Sequence, residues 1–383
     1  MSSKHIDSAP FLDIPASLVE EMLSKTSQIS DNLFKSLDLI KKKKNSFRTQ
    51  LEEANILDSD RNYQEDTRLE SIAIDGAYAI ERLLGSDLIA IGAVCVEGLN
   101  SVNNSKSVTN FRNHEIFIDV EKHDPENMIA ARGLMLEMEI NLAAEAPYDL
   151  IFLDGSLTTP MIHMYKAIDF IANRNTVTSN AIKENYPDFL NSYKKILRSD
   201  EKIWVGLPKY TSRNDIGDKF KWPSDYDDRA ILTLILNDGE FTNPTYFTNK
   251  ENWHMKLPEL NNKEIKIESV MKDVISEISR LNVIYYKPNK WSPALRIELS
   301  NKIANDKKKL SLLLSNLKNQ CSFPNIMEPY PLYLADRIVK HIAPAIPAYK
   351  QILTKNLAEI DKFKEDITDI LFIMHSYRTE SGM

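Results

Sequence analysis

Apolar residues recur along this chain at two different spacings, and the changes between them mark out its elements. Residues 17 to 57 carry Leu18, Met22, Ile29, Leu33 and Leu37 at helical intervals without a proline or glycine, which predicts a long N-terminal helix. From Ile72 the spacing shortens. IAID, then DLIAIGAVCVEG (87 to 98), then HEIFIDV (114 to 120) are three β-rich segments separated by turn-like sequence, expected to pair as adjacent antiparallel strands. Helical spacing returns over 125 to 145, where Pro125 precedes a stripe of Met128, Ala131, Leu134, Met135 and Met138. The chain then runs into DLIFLDGS (149 to 156), which reads as a strand buried on both faces.

Three strands, a helix and a fourth strand make an α/β arrangement. Beyond them, 162 to 198 reads as helix, WVGLPKY (204 to 210) as a fifth strand, and 226 to 244 as a short apolar helix stopped by Asn237, Asp238 and Gly239. A helix at 267 to 280, the strands NVIYYKP and ALRIELS, a helix at 302 to 319 and the compact YPLYLADRIVKHIA segment follow. A charged amphipathic helix is expected over 349 to 375, with Ile352, Leu353, Leu357, Ile360, Phe363, Ile367, Ile370 and Leu371 on its apolar stripe.

Composition narrows the class. With 383 residues, 43% of them hydrophobic, the chain can bury a substantial core. Cys95 and Cys321 are too few for a disulfide framework and form no CxxC pair, so a reducing, intracellular setting fits. No secretory leader is apparent and no segment supplies the ~18 apolar residues of a membrane span. Cytosol is the expectation. The 48 basic against 55 acidic residues give a net charge of -7, which offers no general attraction to a polyanion, although local patches and bound cations can override a total. The run Lys41 to Lys44 reads as a solvated helix face, with phosphate contact as the alternative.

Candidate chemistry begins with a repeated dipeptide. Asp75-Gly76 is expected to end the first strand and Asp154-Gly155 the fourth, and ligands collect where strands of an open α/β sheet end. If the two strands lie side by side, the carboxylates meet and repel unless a cation sits between them. Oxygen ligands of this kind suit magnesium or manganese better than zinc. Each Asp-Gly could alternatively mark an ordinary turn. A third acid is expected from the preceding helix: Glu137 is preferred and Glu139 is the other candidate, since an acid in the apolar LMLEMEINL is costly to bury unless paired or metal-bound. An acid cluster holding divalent ions is chemistry for phosphodiesters.

With these residues in view, the sequence resembles the NurA nucleases. IAIDGA with Asp75, the helix acid Glu137 and LIFLDGS with Asp154 look like that family's three acidic positions. KYTSRNDI (209 to 216), DDRAILTLILNDGEFTNP (227 to 244), ALRIELS (294 to 300) and YPLYLAD (330 to 336) look like its later lysine, arginine, Arg-x-Glu and Tyr-Pro segments, in the same order. The resemblance implies an α/β, RNase H-like mixed-sheet core with additional N-terminal and C-terminal helices. It divides the chain into an N-terminal helical segment (1–69), a nuclease domain (70–345) and a C-terminal amphipathic helix (346–383). It also implies a manganese-dependent deoxyribonuclease, with magnesium as the alternative ion, acting on DNA ends with a 5'-to-3' exonuclease activity, in end resection or defence against foreign DNA. Its partners would be a HerA-type hexameric ATPase and a second copy in a homodimer.

On the same pattern Asp75, Glu137 and Asp154 hold metal, Lys209 and Arg229 contact phosphate, and Tyr330 lines the site. One departure stands out. Where the family commonly has a histidine after Tyr-Pro, this chain has Ile338, with Asp336 before it and His341 one turn later. His341 is placed in the catalytic set as the substitute, with Asp336 as the other candidate and an ordinary polar helix position as the alternative reading of His341. Lys194, Lys195 and Arg198 form a candidate phosphate patch, and Tyr210, Trp222, Trp253 and Trp291 are candidates for base stacking.

Other chemistries lack their motifs. There is no GxxxxGK[ST] loop for ATP, LDGSL is not a nucleophile elbow, and His114-Glu115 does not begin an HExxH zinc signature. The remaining rivals are an RNase H-like endonuclease and a non-catalytic adaptor whose end helices bind partner subunits.

Overall fold

The computed structural model describes residues 14–360, except 64, 66, 84, 100–110, 210–212 and 248–263. The chain divides into two compact units, residues 1–55 and 56–383. In the first, the expected single helix breaks at Lys25 into α1 (Ala16–Ser24) and α2 (Thr26–Glu53), and Lys41 to Lys44 are exposed, as a solvated face requires.

The second unit is built on one mixed sheet. Its strands are β1 (Leu57–Ser59), β2 (Ser71–Arg82), β3 (Ser86–Glu97), β4 (His114–Lys122), β5 (Leu150–Asp154), β6 (Ile203–Leu207), β7 (Glu240–Thr242), β8 (Thr245–Tyr246), β9 (Asn282–Tyr286) and β10 (Leu295–Leu299). They run in the order β1-β7-β9-β10-β6-β5-β2-β3-β4, with β8 beside β9. The expected meander is present: β2, β3 and β4 pair antiparallel. Strand β5 then returns parallel to β2, and β6 parallel to β5. That sequence of five strands, with the first in the middle, is the RNase H-like core. NVIYYKP and ALRIELS extend the same sheet as β9 and β10.

The helices are α3 (Asn127–Glu145), α4 (Thr159–Ile171), α5 (Val177–Arg198), α6 (Gly217–Phe220), α7 (Asp228–Ile235), α8 (Glu264–Ile278), α9 (Asn301–Ala304), α10 (Lys307–Gln320), α11 (Tyr330–Val339) and α12 (Ile342–Ile360). Helix α3 packs on β2 and β3, and α4 and α5 lie against α3. On the other face, Leu310, Leu313, Leu314 and Leu317 of α10 and Leu332 of α11 close a core over Phe152, Val205 and Ile297. All five residues of β6, β9 and β10 are buried; β6 accordingly reads as an unbroken apolar run, whereas β9 also buries Asn282 and β10 buries Arg296 and Glu298. The amphipathic helix expected at 349 to 375 begins earlier, at Ile342, and Phe363, Ile367, Ile370 and Leu371 lie outside the described residues. No described helix is long and apolar enough to cross a membrane.

Candidate metal centre

The register of β2 against β5 matches Ser71 to Leu150 and Ile74 to Leu153, so the next pair, Asp75 and Asp154, stands side by side on neighbouring parallel strands. Asp154 does end its strand. Asp75 does not, contrary to expectation, because β3 pairs with β2 from Ile72 to Arg82 and carries it well past the point where β5 stops. The two glycines therefore have different uses. Gly155 takes a φ of 88°, the left-handed turn that lets the chain leave β5 sharply after Asp154. Gly76 lies within the extended strand, and its missing side chain makes room for a carboxylate from α3.

That carboxylate is Glu139. Its Oε1 lies 2.6 Å from the point where a Cβ at residue 76 would be. Positions two apart on a helix point about 200° away from each other, so Glu137 and Glu139 cannot both face β2. The structure turns Glu139, and not the preferred Glu137, toward β2. Glu137 looks away from the aspartates, accepts hydrogen bonds from Asn141 (2.8 Å) and Asn185 (3.4 Å), and has Glu115 and Asp188 as its charged neighbours. Burial raises its pKa to about 7. Glu139 is raised more strongly, by burial first and then by the charges of Asp75 and Asp154.

A further acid arrives from the C-terminal part of the fold. Pro329 caps α11 and Pro331 sits in its first turn, where a missing N–H costs no helical bond. Two turns in, Asp336 meets Asp75 and Asp154, with one carboxylate oxygen of each lying within 4.8 Å of the others. Asp75 is buried, and desolvation together with the charge of Asp154 pushes its pKa up to about 8. His341, the other candidate, is exposed on α12's approach, its Nδ1 lying 2.6 Å from the carbonyl oxygen of Arg337. The structure thus brings Asp336, and not His341, to the aspartates. Tyr330 opens the same helix, half-buried, its ring packed on Phe323 at 5.2 Å.

The expected phosphate contacts have other occupations. Lys209 follows β6 and points its Nζ at Asp154 (3.1 Å), Glu328 (3.1 Å) and Asp336 (3.6 Å). Burial works against its charge, but Asp154 and Glu328 outweigh burial and raise its pKa. Arg229 donates to the backbone carbonyls of Ala294 (3.0 Å) and Lys209, holding the lysine's main chain in place. The patch on α5 is tied down as well: Lys194 and Arg198 pair with Asp273 and Glu277 of α8, and Lys195 donates to Ala144 O. Of the stacking candidates, Trp222 is buried, Trp291 is 37% exposed, and Tyr210 and Trp253 lie outside the described residues.

Beneath the site runs a buried polar chain that sequence reasoning missed. Glu298 Oε2 accepts from Ser156 Oγ (2.7 Å) and Leu157 N (2.9 Å), clamping the loop that follows Asp154. Its other oxygen accepts from Arg296 (3.0 Å), which donates to Asp215 and Tyr285, both at 2.6 Å. Arg296, Glu298 and Asp215 are each 1% exposed. The available signal was Arg-x-Glu within an apolar strand, two charges on one face that must be paired to be buried.

This geometry invites comparison with known proteins. The sequence profile of the NurA domain matches residues 70–341, well over half of the chain. The chain belongs to the NurA family. The NurA nuclease of Sulfolobus solfataricus superposes with a TM-score of 0.59 at 15% identity, covering 90% of this chain and 98% of that one. A NurA crystallised with manganese superposes at 0.52 and 11% identity, covering 87% and 98%. At such identities the structural likeness to other NurA proteins establishes the shared fold. No curated protein matches the chain by sequence.

The NurA-family site assembled here fits a hard divalent cation. Its donors are carboxylate oxygens from β2, β5 and α11, backed by Glu139, with no cysteine or histidine among the converging groups. Carboxylates this close repel one another, and a divalent cation shared among them relieves that repulsion.

Proposed function

We propose that this chain is a divalent-metal-dependent deoxyribonuclease that uses manganese, with magnesium as the alternative ion. The reading is carried by one observation: one carboxylate oxygen each of Asp75, Asp154 and Asp336, from three separate elements, converge within 4.8 Å of one another. A divalent ion held there would activate water and gather the charge of a phosphodiester. Asp75, Asp154 and Asp336 would supply its oxygen ligands, with Glu139 as the fourth acid. Tyr330, on the helix that carries Asp336, would line the cleft against the substrate. Family membership and the manganese-bound NurA relative support the choice of ion and substrate.

In finer detail, the reading is a cytoplasmic 5'-to-3' exonuclease acting on DNA ends, as a homodimer with a HerA-type hexameric ATPase, in end resection or defence against foreign DNA. The test is cleavage of end-labelled linear DNA and closed circular DNA with manganese, magnesium or EDTA, by the wild type and by Asp154→Ala. Metal-dependent loss of label, intact circles and an inactive but folded variant are expected. Equal cutting of circles would replace the exonuclease with an endonuclease. No cutting with or without the ATPase would leave a non-catalytic adaptor.

A further inference from the structure

The charge balance of the site rests on Lys209. Its ammonium pairs with Asp154, Glu328 and Asp336, so two of its three partners belong to the set that would hold the metal. A lysine that oriented phosphate would present a free ammonium to the cleft, but this one is consumed by carboxylates. Its main-chain carbonyl is fixed by Arg229, which leaves the flexible side chain as the part able to move. Asp336 has one further cation, Lys340 at 2.8 Å, but that ammonium is 70% exposed and screened by water.

We infer that Lys209 is a resident counter-ion that competes with the divalent cation for Asp154 and Asp336, and that metal binding shifts its ammonium onto Glu328. This inference rests on the metal-dependent reading of the site. Three observations carry it. The ammonium and a cation shared by Asp154 and Asp336 would stand only a few ångströms apart in a partly buried site, where like charges repel strongly. Both cations draw on the same two carboxylates, so each weakens the other's hold. Among the described residues, Glu328 alone of the lysine's partners stands outside the converging aspartates, with Oε2 buried and bound by this ion pair and no other described group. It is therefore the anchor left to Lys209 once the aspartates turn to the metal. The displaced ammonium, facing the cleft beside the metal, is then positioned to meet the phosphate.

The test is Mn2+ affinity, measured by titration calorimetry and by the electron paramagnetic resonance of free Mn2+, on the full chain without DNA. Lys209→Met is expected to bind Mn2+ at least about tenfold more tightly than wild type while its DNA cleavage falls. Lys209→Arg, which keeps the charge, should stay near the wild-type affinity. Circular dichroism checks that each variant is folded, and Lys209→Gln replaces the methionine variant should that one not fold. Unchanged or weaker binding by the folded neutral variant overturns the inference.

Glu328→Gln supplies the second arm. It should weaken Mn2+ binding in the wild-type background, because the ammonium then has only the aspartates, and have no effect in the Lys209→Met background. Equal weakening in both backgrounds would make Glu328 a ligand and overturn the transfer. If the wild type and Lys209→Met both bind no Mn2+, the metal-dependent reading itself fails. If Asp154→Ala loses binding while Lys209→Met fails to gain it, that reading stands and this inference falls.

Discussion

Glu139 occupies the space that a side chain at Gly76 would fill: its Oε1 lies 2.6 Å from the position of a Cβ there, and Met135 Cγ lies 2.9 Å from the same point. Glycine in β2 thus leaves room for Glu139 of α3, which lies near enough to the two aspartates to feel their charges. Gly76→Ala should displace the tip of Glu139 more than it disturbs the strand. Unfolding in urea should register a loss of about 1–3 kcal/mol for the overpacked contact. Nuclease activity should fall by about a hundredfold, the scale on which a displacement of about 1 Å in a site is felt. A variant with wild-type rate would show that Glu139 takes no part.

The two glutamates of α3 separate cleanly. Glu139→Gln should abolish metal-dependent cleavage, whereas Glu137→Gln, which keeps its partners Asn141 and Asn185 within reach, should cut DNA at close to the wild-type rate.

A parallel contrast holds at the C-terminal helices. Asp336→Asn removes a carboxylate from the converging set and should lower Mn2+ affinity and turnover together. His341→Ala, at an exposed position, should leave both unchanged. The reverse result would restore the histidine as the functional group.

Glu298 neutralises Arg296 and clamps the Asp154 loop at the same time. Glu298→Ala leaves a buried guanidinium with one carboxylate fewer and should cost about 3 kcal/mol or more in chemical denaturation. Ser156→Ala removes one of the clamp's hydrogen bonds and should cost about 1 kcal/mol. Both should weaken Mn2+ binding although neither residue touches the metal, and unchanged affinity would limit Glu298 to a role in the core.

Without metal, stability should fall as pH rises. Burial and Asp154 push Asp75 from an ordinary 3.8 up to about 8, and Glu139 moves in the same direction. An acid with a raised folded-state pKa holds its proton more tightly folded than unfolded, so its contribution is full below about pH 4 and is lost as pH rises toward 8. Thermal melts in EDTA across that window should show a declining Tm. Added Mn2+ should restore stability most at the alkaline end, where no proton has to be displaced.

Much of this was legible in the sequence because it follows from period. The meander of β2, β3 and β4, the helix α3 and the doubly buried β5 each carry an apolar pattern that only one element satisfies, and Asp75 and Asp154 follow from strand register. What escaped depends on direction and distance. A helix of near-uniform burial gives no polarity by which to choose between Glu137 and Glu139. The role of Lys209 and Arg229 is set by neighbours remote in sequence, Glu328 and Ala294 among them. Asp336 could be proposed as a substitute but not chosen over His341, since only the packing of α11 against β2 and β3 decides which side chain turns inward.

The distance along the chain between Asp75 and Asp336 gives the site a birth order. A growing polypeptide can lay down β2, α3 and β5 while α11 is still unmade, leaving the aspartates and Glu139 without their last acid. The cluster closes only when α11 has been synthesised and docked on β2 and β3. A chain that stops before α11 therefore carries Asp75, Glu139 and Asp154 but lacks Asp336, and its cluster is one carboxylate short.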